Sequence, residues 1–183
     1  MERQEALDFV KRHVQNKNLL KHMLACEAVM VALANYFGED EEKWALAGLL
    51  HDIDYDQTKD NPDKHSLIGG EMLEGAGLSH DIVYAVKCHN EVHGLERKGK
   101  IDMALFCTDP LTGLIAAGAL IKPERNLASI DVEFLKNRFE EKGFARGASR
   151  VQIAACRELG LSLEQFFEIG LKAMQGIHKD LGL

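Results

Sequence analysis

The stretch Trp44-Ala45-Leu46-Ala47-Gly48-Leu49-Leu50-His51-Asp52 decides how this chain reads. Seven uncharged residues run straight into an imidazole and a carboxylate. Glu41-Glu42 stand just before them, and acidic residues suit the positive end of a helix. The segment therefore predicts a buried helix over 41–50 that delivers His51 and Asp52 to the edge of a core. Outward from it the same pattern repeats. Apolar residues recur at spacings of three and four, and no segment sustains period-two alternation, so the chain reads as all-α.

Towards the N-terminus, 2–14 forms one amphipathic helix with Ala6, Leu7, Phe9, Val10 and Val14 inside. Asn18 is placed to cap a longer helix over 19–37, stopped by Gly38. Towards the C-terminus, 51–62 reads as the helix end and a polar loop. Helices follow over 65–74 (closed by Gly75), from Ser79 to His89, over 101–120 with a bend near Asp109-Pro110, and over 129–142. Ser149 with Gln152 and Ser162 with Gln165 have capping-box spacing and open the last two helices. A soft boundary near Lys122-Pro123-Glu124 divides 1–125 from a C-terminal extension, 126–183, whose helices are too short to fold alone and are expected to pack on the rest.

Composition narrows the function. Lys plus Arg is 22 and Asp plus Glu is 29, a net charge of −7. No basic excess marks a dedicated binder of nucleic-acid polymer, and no polybasic cluster marks a membrane surface protein. The N-terminus is charged and leads into no apolar signal segment. The clean apolar run Leu111–Ile121 is too short to span a bilayer. A cytoplasmic protein is expected, with Cys26, Cys88, Cys107 and Cys156 as buried, reduced thiols.

The chemistry lies in the histidines and nearby carboxylates. His22 sits among Leu19, Leu20, Met23 and Leu24; His65 opens one helix and His89 ends another; Asp109 interrupts the most apolar segment, where an unpaired carboxylate is costly. Imidazole and carboxylate together suit zinc, iron or manganese. Each residue also has a plain structural reading: His22 or His89 as a hydrogen-bonded helix residue, His51-Asp52 as a C-terminal cap, Asp109 as a turn residue before Pro110. His13, His80 and His178 read as stray surface histidines.

Taken in order, His22, His51-Asp52, His65, His89 and Asp109 resemble the pattern of the HD-domain metal-dependent phosphohydrolases, of the bacterial HDIG type. Leu19-Leu20-Lys21-His22 resembles the family's first-histidine helix. Ala47-Gly48-Leu49-Leu50-His51-Asp52-Ile53 resembles its HD helix, and His65-Ser66-Leu67-Ile68-Gly69-Gly70 is similar to its His-x-x-x-Gly-Ala stretch. Ile82 to His89 resembles the helix with the next histidine. The resemblance covers about 1–125. It implies an HD-domain helical bundle in which His22, His51, Asp52 and Asp109 hold a first metal. Asp52 bridges to a second, completed by His65 and His89. One or two divalent transition metals (Fe, Mn, Zn, Ni or Co) are implied, with Asp52 and Asp109 at the catalytic centre and a metal-activated water as nucleophile.

Two departures bear on substrate. Many relatives carry a phosphate-binding lysine three residues after the HD aspartate, where this chain has Tyr55. Lys59, Lys87, Arg125, Arg146 and Arg150 are the candidate replacements. After Asp109 the chain continues Pro110-Leu111-Thr112-Gly113, where the symmetrical dinucleoside polyphosphate hydrolases usually have an aromatic and an acid. Tyr55, Lys59, Glu91 and His93 are the candidate substrate contacts, while Asp54 reads as an exposed loop acid or a group supporting the site. The expected substrate is a small phosphoester, a nucleotide foremost, with a homodimer possible. The alternatives are an oxygenase using a di-iron pair and a non-catalytic metal-binding signalling module.

Overall fold

The computed structural model describes residues 1–183, with helices and turns and no strand. The N-terminal part runs α1 (Arg3–His13), α2 (Lys17–Phe37), α3 (Glu41–Leu50), the single turn α4 (Tyr55–Thr58), α5 (Leu67–Gly75), α6 (His80–His89) and α7 (Lys100–Leu120). The C-terminal part adds α8 (Val132–Glu140), α9 (Arg150–Ala154), α10 (Leu163–Gly176) and the short α11 (His178–Leu181). The all-α expectation holds.

One core extends from Ala6 and Val10 on α1 to Leu171 and Met174 on α10. Its centre is the α2–α3 pair, with α7 against α2 and α6, so α8 to α10 share the same core as the N-terminal helices. Gly48 sets the closeness of α2 and α3. A Cβ there would lie 2.8 Å from the backbone of Cys26 and Glu27, so the crossing requires glycine. This contact brings His51, one turn further on, next to His22.

By length and composition α2 and α7 could each cross a membrane. In this fold 72% of α7's most apolar window is buried, and Pro110 sits inside the helix without ending it. The 21-residue helix thus outruns the short apolar stretch visible in sequence.

Several boundaries differ from the sequence reading for local reasons. Asn16, not Asn18, caps α2. Its extended backbone lets its Oδ1 accept from Asn18 N (2.9 Å) and Leu19 N (3.4 Å). Ser66 has φ 70°, a left-handed conformation that no helix continues through, so α5 starts at Leu67 and His65 stands in the preceding turn. Segment 51–62 is not a solvated loop: Ile53, Asp54 and Thr58 are buried. Ser129 ends a 3₁₀ turn, and Asp131 caps α8 through Phe134 N. Ser162 and Gln165 form the expected reciprocal capping box, whereas Ser149 caps α9 only by accepting from Gln152 N, without the return bond. All four cysteines are free and buried.

Candidate metal centre

Four elements converge where α3 ends. His22 comes from α2, His51 and Asp52 from the end of α3, His89 from the last turn of α6, and Asp109 from the middle of α7. His65 arrives from the turn before α5. His51 is fully buried and Asp52 and His89 nearly so; Asp109 keeps partial exposure, its side chain 31% accessible.

The ring nitrogens and carboxylate oxygens fall into two groups. In the first, His22 Nε2 lies 3.1 Å from His51 Nε2, 3.1 Å from Asp109 Oδ1 and 3.7 Å from Asp52 Oδ2, and His51 Nε2 lies 3.5 Å from Asp52 Oδ2. In the second, His65 Nε2 lies 3.2 Å from His89 Nε2 and 3.2 Å from Asp52 Oδ1, which is 3.5 Å from His89 Nε2. Asp52 thus turns one oxygen to each group.

The outer nitrogen of each ring fixes its tautomer. His51 Nδ1 donates to the Gly48 carbonyl at 2.8 Å, and His89 Nδ1 to the Val86 carbonyl at 2.6 Å. A carbonyl only accepts, so in both rings Nδ1 carries a proton, and Nε2 is the atom left to meet a cation. Thr112 Oγ1 donates to the Asp109 carbonyl (3.0 Å) and so accepts from His22 Nδ1 (2.9 Å). His65 Nδ1 donates to Asp54 Oδ1 at 2.9 Å. Every ring therefore aims Nε2 inward. Two bare lone pairs facing each other at 3.1 or 3.2 Å would repel, so each pair needs a proton or a cation between its rings. Without a metal His22 and His65, both with raised pKa values, carry that proton, and a cation would displace it. Donors about 2.1 Å from one ion stand ~3.0–3.4 Å apart. The three donors of the second group, 3.2–3.5 Å apart, come close to this spacing. The four of the first are looser, with His22–Asp52 at 3.7 Å and His51–Asp109 at 3.9 Å, and would have to draw in around an ion.

Charge follows the same logic. Burial drives the His51 pKa down to about 4, against the pull of Asp52. Burial also lowers His65, but Asp52 and Asp54 outweigh it and raise the ring to about 9. Burial would raise Asp109, yet the adjacent His22 holds it below the ordinary carboxylate range. Asp52 is likewise held ionised by the rings around it, despite its burial.

Asp54 is a correction to the sequence reading. It is fully buried, and its Oδ2 accepts from Ser66 N and Gly69 N, each at 2.8 Å, while Oδ1 takes His65 Nδ1. It therefore orients His65 and closes the left-handed turn, as carboxylates behind metal-ligating histidines do. His93 does not face the two groups. Its Nε2 meets the His65 carbonyl at 2.6 Å, and Asn90 Nδ2 bonds that carbonyl and Pro62's, so both residues pin the turn. Glu91 lines a separate cavity with Arg97 and Phe106, away from the metal groups. Tyr55 is 41% exposed, its ring edge-on to His65 at 5.2 Å, which places it at the mouth of the second group. Lys59 is exposed beyond α4.

Sequence reasoning missed Thr112 and Cys26. Thr112 is three residues past Asp109, a spacing that puts it on the same helix face. Cys26 lies one turn after His22, its Sγ 3.8 Å from His22 Nε2 and 3.6 Å from Thr112 Oγ1. Burial pushes its thiol pKa up, leaving it a neutral wall beside the ring. Two cavities flank His22. One, of about 370 Å³, is mostly apolar and includes Ala25, Ala116, Leu120, Met174 and Leu181. The other, about 390 Å³, includes Asp109, Gly113 and Arg146.

Comparison with known proteins agrees with this geometry. The family model described as "HD domain" matches residues 19–109, from the first turn of α2 to Asp109. Similar proteins include ribonuclease Y of Oleidesulfovibrio alaskensis, 30% identical over 98 residues, covering 54% of this chain and 18% of that protein. Ribonuclease Y of Nitratidesulfovibrio vulgaris is 34% identical over 76 residues, covering 42% and 15%. Ribonuclease Y of Desulfotalea psychrophila is 26% identical over 137 residues, covering 73% and 26%. The chain thus spans only a minor part of these relatives. The matched segment holds His22, His51, Asp52, His65, His89 and Asp109 in one place, and the chain belongs to the HD-domain family.

Proposed function

We propose that this protein is a metal-dependent phosphohydrolase that cleaves a small phosphoester, a nucleotide foremost, using one or two divalent transition metals. The observation that carries this reading is the shared Asp52, whose two oxygens each face a separate group of inward-aimed nitrogens. Divalent cations held there supply Lewis acidity toward a phosphoryl oxygen and lower the pKa of a water in the cleft. They also provide the positive field that a chain of net charge −7 otherwise lacks.

The chain's own residues do the rest. Asp52, ionised and buried, fixes the spacing of the two groups. Asp109 is the more exposed carboxylate and stays ionised beside His22, which keeps it available as an anionic oxygen donor at the cleft. His51, with its pKa depressed to about 4, is neutral in this pH range and keeps its lone pair for a cation rather than a proton. Tyr55 offers a ring to a nucleobase or another flat group, a stacking contact worth about 1–3 kcal/mol. The apolar cavity beside His22 is the size of a nucleoside or similar organic group. A cytoplasmic, membrane-independent enzyme completes the reading.

A second reading has its own support: the similar proteins carry the name ribonuclease, so RNA is the competing substrate. Protein purified without air and loaded with each metal should be compared on nucleoside monophosphates, a dinucleoside tetraphosphate and a short oligoribonucleotide. The highest specificity constant is expected on the monophosphates. A higher value on the oligoribonucleotide would establish the RNA reading. Oxygen uptake without phosphate release would replace both with an oxygenase.

A further inference from the structure

The position of the family's lysine is filled by Tyr55, and the fold discriminates among the five basic residues that could take its place. Lys87 pairs with Glu74 at 2.7 Å. Arg150 is committed to backbone: its guanidinium donates to the carbonyls of Arg138, Phe139, Glu141, Phe144, Ala145 and Ala148 at 2.6–3.4 Å. Lys59 and Arg125 are exposed and do not line the cavity that holds Asp109. Arg146 is exposed too, but it does line that cavity, together with His22, Asp109 and Gly113.

The loop bearing Arg146 is built rather than loose. Arg150 ties down the carbonyls on both sides of it, and Ala145 immediately before it holds a left-handed φ of 43°. A non-glycine residue stays in that region only where its surroundings enforce it, and such strain concentrates at ligand sites. The loop belongs to the C-terminal extension, beyond the segment that matches the HD domain.

We propose that Arg146 is the anion-recognising residue of this site, contacting the substrate's phosphoryl group from the His22–Asp109 side. The proposal rests on the phosphohydrolase reading and deepens it. An arginine fork gives a phosphoryl group two charge-assisted hydrogen bonds that a lysine cannot match in geometry. The C-terminal extension then supplies specificity to a centre whose metal donors all lie in 19–109.

Calorimetric titration of inorganic phosphate into metal-loaded protein tests this without requiring turnover. Wild type, Arg146→Ala, Arg146→Lys and the distant charge control Arg12→Ala should be compared at equal metal content. Phosphate affinity is expected to fall tenfold or more in Arg146→Ala, to recover partly in Arg146→Lys, and to be unchanged in Arg12→Ala. Equal phosphate affinity in wild type and Arg146→Ala, or no phosphate binding by wild type, overturns the proposal. Phosphoester turnover by the same samples reports separately on the hydrolase reading. If wild type is active and Arg146→Ala keeps its KM and phosphate affinity, the enzyme stands and this role for Arg146 does not.

Discussion

The two halves of the centre are built differently. The first, around His22, His51 and Asp109, rests on α2 and α7, the two longest helices, and on the buried α3, with α2 and α3 joined at the glycine crossing of Gly48. The second, around His65 and His89, has one donor on α6 and the other in a turn held by Asp54, Asn90, His93 and a left-handed Ser66. The first half's geometry is thus part of the core, and disturbing it disturbs folding. The second half's geometry is kept by a few polar contacts that can be removed one at a time. The second ion should therefore be the weaker and more easily lost.

Asp52→Ala has the largest expected effect, because it removes the one residue common to both halves. Both ions should be lost and phosphoester hydrolysis should fall to background, measured by metal content and turnover in the folded variant. A variant that retained either ion at full occupancy would show that the halves are independent of Asp52.

Asp54→Asn sharpens the contrast. Behind a ligating histidine such a change typically costs about 10–100-fold in metal affinity. Here the loss should fall on the second ion alone. Burying Asn against two backbone N–H donors and a ring N–H leaves at least one poorly paired group, at a cost of roughly 1–3 kcal/mol in stability. Chelator competition and denaturant unfolding measure the two parts. Equal weakening of both ions would break the comparison.

Gly48→Ala attacks the first half without touching a ligand. Its Cβ would meet the α2 backbone at 2.8 Å. The expected cost is about 1–3 kcal/mol in unfolding free energy, with weaker binding of the first ion. Unchanged stability would mean that the crossing adjusts freely and does not fix His22 against His51. Thr112→Val is the mildest test. It keeps shape but removes the acceptor for His22 Nδ1, so affinity for the first ion should drop by about tenfold, with the second unaffected.

Much of this was legible in the sequence. The apolar run into His51-Asp52, the all-α pattern and the ordered histidines were readable because they are local or depend on helical spacing. Asp54 was misjudged because the two neighbours that bury it, the Ser66 and Gly69 amides, come from a turn 12 and 15 residues away. Arg146 could not be singled out from five basic residues, since only the packing of the extension against α7 brings it to the cavity that Asp109 also lines. Asn16 and Asp131 were missed as caps because several polar residues precede each helix and backbone conformation decides among them.

Metal stoichiometry tests the central claim most directly. Wild type and His65→Ala should be purified without air, loaded with iron or manganese, desalted and assayed for metal per chain. The account predicts up to two ions in wild type and a fall towards one in His65→Ala, with His22, His51, Asp52 and Asp109 keeping the first. Saturation at one ion in both proteins would contradict it.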